Sequence, residues 1–244
     1  MELDPTKENL LLSEALQFAR KNKKRIAKEL TDIRLYPPEE GPVSVFMAGS
    51  PGAGKTETSI QLIKNASAST SENLKVLRID ADELRTRFEG YDGCNSSLFQ
   101  APVSILVEKI HDFALKNSQS FVLDGTLSNY EIAKSNIERS LNKGRVILII
   151  YVYQDPKQAW AFVKAREKIE GRKVTLDTFI TQYFTARHVV NKIKKVFKKS
   201  VKVDLLLKNI DGSDNFYKAN IDQVDIYIPE IYTKQALEEM LSID

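Results

Sequence analysis

The fold is decided by residues 43–63, which read Val43-Ser44-Val45-Phe46-Met47-Ala48-Gly49-Ser50-Pro51-Gly52-Ala53-Gly54-Lys55-Thr56-Glu57-Thr58-Ser59-Ile60-Gln61-Leu62-Ile63. The apolar start predicts a buried strand, and the spaced apolar residues at the end predict a helix. Between them lies a glycine-rich loop that ends in a lysine and a threonine, as a phosphate-binding loop does. Glycines let backbone N–H groups surround a polyphosphate, and the following helix directs its positive end at the same anion. We therefore predict that the chain binds a nucleoside triphosphate.

Two side chains of this stretch have predicted chemical roles. Lys55 can reach the β- and γ-phosphates of the nucleotide, and the hydroxyl group of Thr56 can bind Mg²⁺. We therefore expect Mg²⁺ as cofactor and ATP or GTP as co-substrate. The predicted nucleotide-binding residues are Gly49, Ser50, Pro51, Gly52, Ala53, Gly54, Lys55 and Thr56.

The composition of the chain is that of an ordinary globular protein. Its 244 residues suffice for one α/β domain, and a net charge of +3 gives no general attraction to nucleic acid or to a membrane surface. Cys94 is the single cysteine, which excludes an intrachain disulfide and makes a Cys/His zinc site implausible. No apolar run approaches the ~20 residues of a membrane span, and the acidic N-terminus does not resemble a signal peptide. We expect a cytoplasmic protein with no membrane partner.

The first 40 residues precede the first strand and carry an amphipathic pattern. Apolar residues recur at steps of three and four from Leu12 to Ile33, which predicts a helix that Pro37-Pro38 ends. We divide the chain into this N-terminal helical segment, residues 1–40, packed on a phosphate-loop kinase domain, residues 41–244. A partner-binding or self-inhibiting segment is the alternative.

Beyond the phosphate loop, predicted strands and helices alternate. Strands are predicted at 74–79, 120–126, 145–153, 201–207 and 221–228, and helices at 103–116, 130–142, 156–169, 176–197 and 234–241, with a further helix through Leu84 and Phe88. This alternation predicts an α/β fold of the phosphate-loop NTPase and kinase type, a parallel sheet flanked by helices on both faces. Ligands of such sheets bind at the carboxyl ends of the strands, so residues 49–56, 80–82 and 124–126 should converge on one site.

Acidic residues follow two of these strands. Asp80 and Asp82 are two positions apart, so on a strand they would point the same way. We assign Asp82, the outer one, as the carboxylate that accepts the proton of an attacking hydroxyl group. Capping of the next helix is the alternative for either residue. Asp124 follows an apolar strand at the position of a metal-organising carboxylate.

Three charged residues on or beside predicted helices are candidates for ligand contacts. Arg166 and Arg172, the flap arginines, bracket a break at Gly171, where a mobile flap would bring positive charge to the transferring phosphate. Solvated helix charges are the alternative for both. Glu108 lies among apolar helix neighbours and is either a surface residue or a ligand of a polar substrate.

A lysine-rich stretch, residues 192–202, would attract a polyanion. Its lysines are Lys192, Lys194, Lys195, Lys198, Lys199 and Lys202. Because Phe197 is the only aromatic residue among them, a solvated helix face is preferred over a nucleic-acid site.

Together these motifs resemble those of the zeta toxins, bacterial kinases of toxin–antitoxin systems. The likeness runs from the N-terminal helix to about residue 210 and rests on the order and spacing of the motifs. They are the loop 49–56, Ile79-Asp80-Ala81-Asp82, Glu108, Leu123-Asp124-Gly125-Thr126, Arg166 and Arg172.

The resemblance implies a specific activity. Such enzymes transfer the γ-phosphate of a nucleoside triphosphate to the 3′-hydroxyl group of the sugar in UDP-N-acetylglucosamine, and the product starves cell-wall synthesis. By position, Asp82 would be the general base beside the acceptor and Lys55 the phosphate anchor. The flap arginines would stabilise the transferring phosphate, while Glu108 and Thr126 would help to hold the nucleotide sugar. The implied partner is a small helical antitoxin that blocks the nucleotide site.

The chain departs from the family pattern at three positions. The family usually has glutamate where Asp124 stands and proline where Leu176 stands, and it usually has an arginine shortly after the Gly-Thr pair, where this chain has Leu127-Ser128-Asn129-Tyr130. The missing arginine favours a second hypothesis, a kinase of the same fold that phosphorylates another hydroxyl group, on an antibiotic, a metabolite or a polynucleotide end. A nucleotide-dependent switch without an acceptor is the third. Asp82 and the flap arginines argue against the switch, because a switch needs no base beside an acceptor.

Overall fold

The computed structural model of the protein describes residues 5–68, 75–228 and 232–242. In these residues strands and helices alternate over most of the chain. The strands are β1 (Val43–Ala48), β2 (Leu77–Asp80), β3 (Phe121–Asp124), β4 (Val146–Tyr153), β5 (Lys202–Lys208) and β6 (Asp214–Lys218). The helices are α1 (Pro5–Leu30), α2 (Lys55–Ala68), α3 (Ala81–Arg85), α4 (Gln100–Lys116), α5 (Tyr130–Leu141), α6 (Pro156–Glu170), α7 (Leu176–Phe197) and α8 (Lys234–Ser242), with a 3₁₀ turn at Lys198–Ser200.

The strands form one sheet in the order β2-β3-β1-β4-β5-β6. The pairs from β2 to β5 are parallel, and β6 is antiparallel to β5. The predicted α/β fold is confirmed, but the sheet is mixed rather than wholly parallel. A short turn, residues 209–213, joins β5 to β6, and a connection of that length allows only antiparallel pairing.

The central strand β1 is paired on both sides, with β3 and β4. Its register with β4 runs from Val43 opposite Val146 to Ala48 opposite Tyr151. Both strands are buried over most of their length, which is why each reads as an almost continuous apolar run. The phosphate loop therefore emerges from the middle of the carboxyl edge of the sheet.

Helices cover both faces of the sheet, but unequally. On one face, strand residues such as Phe46 join a large apolar core with residues of α1, α4, α5, α6 and α7. On the other face, a smaller cluster that includes Met47 and Val152 packs against Leu62 and Ile63 of α2. The predicted cover of helices on both faces is confirmed. No described helix is both long enough and apolar enough to cross a membrane.

The N-terminal helix α1 packs on the large core beside α4. Its buried residues are Ala15, Ala19, Ile26 and Ala27. It ends at Leu30, so the prediction that Pro37-Pro38 ends it is wrong. The chain turns earlier because the carboxylate of Asp32 accepts a hydrogen bond from the backbone N–H of Arg34 at 2.9 Å, a local turn that competes with the helix.

The predicted strand at 221–228 is wrong, and β6 was missed. Residues 221–228 form turns, although Ile221, Val224 and Ile228 contribute to the apolar core. The strand that pairs with β5 is Asp214–Lys218, whose residues are all exposed and mainly polar. An exposed edge strand lacks the apolar run on which the sequence prediction depended. The start of the predicted strand 74–79 lies outside the described residues.

Candidate active site

The phosphate loop joins β1 to α2 with a backbone that requires glycine at its first position. Gly49 has φ 137°, and a Cβ atom there would lie 2.3 Å from the carbonyl oxygen of Val152. Its N–H donates to the carbonyl oxygen of Thr126 at 3.2 Å. The loop is therefore fixed between β4 and the turn that follows β3, as the predicted convergence of strand ends requires.

Lys55 is the first residue of α2 and points back into the loop. Its Nζ donates to the carbonyl oxygen of Ser50 at 2.6 Å, a contact that a phosphate oxygen can replace. Burial lowers the pKa of the Lys55 ammonium to about 8, opposed by the negative charges of Asp124 and Asp82. The positive charges of the flap arginines also lower the pKa of Lys55. Lys55 thus lies within electrostatic reach of every charged group to which the sequence assigned catalysis or metal binding.

The lowered pKa predicts that nucleotide affinity depends on pH. Lys55 carries its positive charge below a pH of about 8 and loses it above, so affinity for ATP should fall as the pH rises through that value. Titration calorimetry across this range measures the effect. Lys55→Ala is the control, and we expect a flatter profile for it. Equal slopes for both proteins would assign the pH dependence to another group.

Asp124 ends β3 and faces the first turn of α2. Its Oδ2 lies 2.9 Å from Ser59 Oγ, and Ser59 Oγ lies 2.8 Å from the carbonyl oxygen of Thr56. The carboxylate is therefore held one helical turn from the Thr56 hydroxyl. These are hard oxygen donors of the kind that Mg²⁺ prefers, and Mg²⁺ completes its shell with water and phosphate oxygens. Thr56 and Asp124 fit such a site, although the described residues contain no cluster of three or more His, Cys, Asp or Glu side chains that could hold a metal.

Arg78 is a site residue that sequence reasoning missed. The register of β2 and β3 sets Asp80 opposite Asp124, so two carboxylates end neighbouring strands about 5 Å apart. Arg78 Nη2 pairs with both, at 2.9 Å for Asp124 Oδ2, and Nε lies 3.0 Å from Ser59 Oγ. The guanidinium neutralises a pair of acids that would otherwise repel. An arginine two residues before an aspartate was the only sequence signal.

Asp80 has the capping role that was the alternative for this pair. Its Oδ1 accepts a hydrogen bond from the backbone N–H of Asp82 at 2.7 Å, as the N-cap of α3. Burial raises its pKa to about 6, with further contributions from the charges of Asp82 and Asp124, while Arg78 opposes the shift.

Removing Arg78 should destabilise the protein. Arg78→Ala removes the cation that pairs directly with two buried carboxylates, which is expected to lower the free energy of unfolding by about 3 kcal/mol. The loss should be greater at pH ~8 than at pH ~5, because Asp80 is largely protonated at the lower pH and then needs no cation. Denaturant unfolding measures it. Arg34→Ala, which removes an exposed arginine paired with Asp32, is the control and should change little. An equal loss at both pH values would contradict the role of Asp80.

Asp82 lies on α3, not on β2. The prediction that Asp80 and Asp82 project together from a strand is wrong, because the strand ends at Asp80 and the chain turns at once into α3. Arg85 Nη1 pairs with Asp82 Oδ1, and Arg172 Nη1 pairs with Asp82 Oδ2. The second contact joins residues far apart in the chain and brings the flap to the predicted base.

The flap forms where α6 ends. Gly171, with φ 71°, is the C-cap of α6, and α7 begins after Thr175, whose side chain accepts from the N–H of Thr178. Arg172 reaches Asp82 from this connection. Arg166 instead pairs with Glu170 on its own helix at 3.2 Å, and both side chains are partly exposed. The structure therefore brings one flap arginine onto the base and leaves the other beside it.

A loop of turns, residues 89–97, contacts this flap. A Cβ atom on Gly93 would lie 2.4 Å from the carbonyl oxygen of Glu170, and Cys94 Sγ lies 3.4 Å from the position of a Cβ on Gly171. The loop thus supports the backbone next to Arg172. Cys94 itself is exposed and free.

The two residues predicted to hold a nucleotide sugar differ in position. Thr126 is half-buried beside the phosphate loop, and its Oγ1 lies 2.9 Å from Ser128 Oγ. Glu108 is exposed in the middle of α4, and no hydrogen bond or ion pair joins it to the site within the described ranges. Its role in substrate binding stays a prediction.

Lys208, a second residue missed from the sequence, lies beside the phosphate loop. It ends β5, and its Cε is 3.3 Å from the position of a Cβ on Gly54. Its Nζ pairs with Asp214 Oδ1 at 2.6 Å and its side chain is buried. By contrast, the lysine-rich stretch 192–202 leads into the start of β5, at the opposite edge of the sheet, and Lys194 there is buried with its Nζ 3.0 Å from the carbonyl oxygen of Val201.

The fold and the site define the class of the protein. A phosphate loop after the central strand, with Lys55 inside it and Asp124 at the end of the neighbouring strand, is the arrangement of phosphate-loop kinases and NTPases. A model of the zeta toxin family matches residues 26–222, so the chain belongs to the zeta toxin family. The resemblance found in the sequence is confirmed.

Solved structures show the same fold. A structure of the PezAT chromosomal toxin–antitoxin system of the human pathogen Streptococcus pneumoniae has a TM-score of 0.62 and 15% sequence identity, and covers 93% of this chain and 88% of that chain. A structure of AvrRxo1-ORF1:-ORF2 with ATP has a TM-score of 0.59 and 14% identity, and covers 93% of this chain and 77% of that chain. A comparison with curated protein sequences gives no match.

Proposed function

We propose that this protein is a zeta toxin-like kinase. It transfers the γ-phosphate of ATP or GTP to a sugar hydroxyl group of a nucleotide sugar such as UDP-N-acetylglucosamine, and its activity is toxic to the cell that contains it. The observation that carries the proposal is the pairing of Asp82 with Arg172 within electrostatic reach of Lys55. A phosphate anchor, a base and a mobile cation meet there, as phosphoryl transfer to a hydroxyl group requires. Because ATP is a cytoplasmic metabolite, we expect the protein to act in the cytoplasm.

The proposed reaction gives each side chain one task. The backbone of residues 49–54 and Lys55 hold the β- and γ-phosphates. Thr56 and Asp124 would hold Mg²⁺, which when bound neutralises phosphate charge. The acceptor oxygen forms a bond to the γ-phosphorus while the bond to the β–γ bridging oxygen breaks, and the nucleoside diphosphate leaves. The acceptor proton passes to Asp82.

The flap arginines must respond to the nucleotide. Arg172 occupies Oδ2 of Asp82, the oxygen that would otherwise be free to take the proton. A γ-phosphate carries more negative charge than a carboxylate and offers a guanidinium two oxygens in one plane. We expect Arg172 to move from Asp82 to the phosphate when the nucleotide binds, which frees the base and stabilises the transferring group at once.

The charge of the segment after Thr126 bears on the chemistry of the acceptor. Residues 127–130, directly after Thr126, include no arginine. Lys192 Nζ of α7 lies 3.6 Å from the centre of the Tyr130 ring and brings positive charge to this segment. That charge supports an anionic acceptor such as a nucleotide sugar. Another hydroxyl acceptor remains the second candidate, since the family arginine is missing. A polynucleotide end gains no support from the rest of the lysine-rich stretch, because residues 198–202 lead into the start of β5 at the far edge of the sheet.

We also propose a protein partner, a small helical antitoxin. Family membership supports it, and one of the similar structures is of a toxin–antitoxin system. The structure of AvrRxo1-ORF1:-ORF2 with ATP supports ATP as the nucleotide.

Growth of bacterial cells tests the toxicity. Induced expression of the wild-type chain should arrest growth, and Asp82→Ala should relieve the arrest because it removes the base. Asp222→Ala is the control, since Asp222 is exposed and pairs only loosely with Lys194 at 3.7 Å. Arrest by Asp82→Ala at an equal protein level would contradict toxicity through phosphoryl transfer.

A further inference from the structure

We propose that Arg85 is a positioning residue that holds the predicted base, Asp82, in its working orientation. The inference rests on the proposed kinase function and adds a residue to it. Arg85 lies on α3, three residues after Asp82, and its Nη1 pairs with Asp82 Oδ1. Its Nη2 donates to Gln100 Oε1 at 2.8 Å. The guanidinium therefore bridges the base and the first residue of α4.

The burial of Arg85 distinguishes it from an ordinary helix charge. The residue is only 5% exposed, and its Nε has no hydrogen-bond partner within the part of the chain that the structure describes. A buried guanidinium is costly unless a carboxylate compensates it, and Asp82 is the carboxylate that pairs with it. Exposed pairs at this spacing contribute little and do not fix a side chain. Because the buried guanidinium of Arg85 is held in place, it holds the carboxylate of Asp82 in place as well.

The anchoring of Arg85 extends into α4. Phe99, the N-cap of α4, makes no side-chain hydrogen bond. The side chain of the next residue, Gln100, accepts the hydrogen bond from Arg85. The Arg85 guanidinium pairs with Asp82 of α3 through Nη1 and with Gln100 of α4 through Nη2, so its side chain has little rotational freedom. This linkage holds α3 and therefore Asp82 relative to the core.

The two arginines that pair with Asp82 have different proposed roles. Arg85 takes Oδ1 from the buried side, whereas Arg172 takes Oδ2 from a connection that follows a helix end and is more exposed. When the nucleotide draws Arg172 away, Arg85 stays and keeps Oδ2 directed at the acceptor. Loss of Arg85 should therefore lower the rate of transfer and leave nucleotide binding intact.

Steady-state kinetics with Mg·ATP and UDP-N-acetylglucosamine tests this role. If the wild-type protein phosphorylates another UDP-sugar, that sugar replaces UDP-N-acetylglucosamine in the assay. For Arg85→Gln we expect kcat to fall about 100-fold, the effect of a small misplacement of a reacting group, with the KM for ATP changed by less than about twofold. Arg85→Lys keeps the charge but cannot hold Asp82 and Gln100 together. Its kcat should therefore be about tenfold higher than that of Arg85→Gln and about tenfold lower than that of the wild type. Arg87→Gln is the matched control. Arg87 pairs with Glu29 at 3.0 Å on the partly exposed side and should have wild-type kinetics when replaced.

Each result decides the proposal. A kcat within about twofold of the wild type for Arg85→Gln overturns it, as does a parallel rise in the KM for ATP, which would indicate general damage to the site. If Arg85→Gln fails to fold by circular dichroism, the folded Arg85→Lys protein decides, and a wild-type kcat for it overturns the proposal. If the wild-type protein transfers phosphate to no acceptor, the proposed function fails and this inference with it. Wild-type transfer with unaffected Arg85 variants contradicts only the positioning role.

Discussion

Replacing Asp82 with asparagine is expected to lower the rate of phosphoryl transfer by about three orders of magnitude, near the middle of the range for loss of a general base. Asparagine has the same shape, and its amide oxygen can still accept a hydrogen bond from Arg85 or Arg172. It cannot take up a proton from the acceptor. Asp82 lies on α3, outside the phosphate loop, so nucleotide affinity should remain within about threefold of the wild type.

Single-turnover transfer and ATP binding by calorimetry separate these two effects. Asp92→Asn is a suitable control, because Asp92 is an exposed acid of the loop 89–97 that bonds Asn95 rather than any phosphate-loop residue. Asp82→Asn could instead bind ATP weakly while the ATP-bound protein transfers phosphate at the wild-type rate. That result would mean that Asp82 binds a metal ion or the nucleotide and does not accept the proton of the acceptor.

Replacing Lys55 with alanine should weaken both binding and transfer. Lys55 is the cation inside the phosphate loop, where its Nζ donates to the carbonyl oxygen of Ser50. Its charge is partly desolvated there, so it interacts with a phosphate more strongly than it would in water. Loss of one such preorganised group typically costs about 3–4 kcal/mol of transition-state stabilisation, which corresponds to a 10²–10³-fold lower kcat/KM. Lys64→Ala removes an exposed lysine from the same helix, α2, and should leave kinetics unchanged.

The ratio kcat/KM for ATP and the dissociation constant of ATP are the quantities to compare. A loss in affinity with an unchanged rate at saturating ATP would show that Lys55 binds the ground state and transition state equally. Such a result would move the main stabilisation of the transition state to the flap arginines.

Local patterns in the sequence predicted a strand, a glycine-rich loop and a helix over residues 43–63, and the structure contains all three. The apolar run of β1, the glycines and the helix that follows depend on neighbours in the chain, so residues 43–63 contain all the information needed. The order of strand and helix along the rest of the chain was likewise predictable. The exposed strand β6 was not, because it has no apolar face and depends on pairing with β5.

Contacts between distant segments could not be predicted from the sequence. Arg78 became a site residue because the register of β2 and β3 sets two acids side by side, and register is not written in any one strand. Asp80 and Asp82 separated because the chain turned from strand to helix between them, a boundary that single-sequence patterns place poorly. The pairing of Arg172 with Asp82 depends on how the end of α6 folds over the sheet. The family resemblance predicted the neighbourhood of these groups, but not which arginine contacts the base.

The central claim is transfer of phosphate to a nucleotide sugar by a reaction that needs Asp82. Its most direct test is incubation of the purified protein with Mg·ATP and a panel of UDP-sugars, followed by mass spectrometry of the products. We expect a UDP-N-acetylglucosamine product that is heavier by one phosphate with the wild-type protein and is absent with Asp82→Asn. ATP consumed without any phosphorylated sugar, or a product formed equally by both proteins, would contradict it.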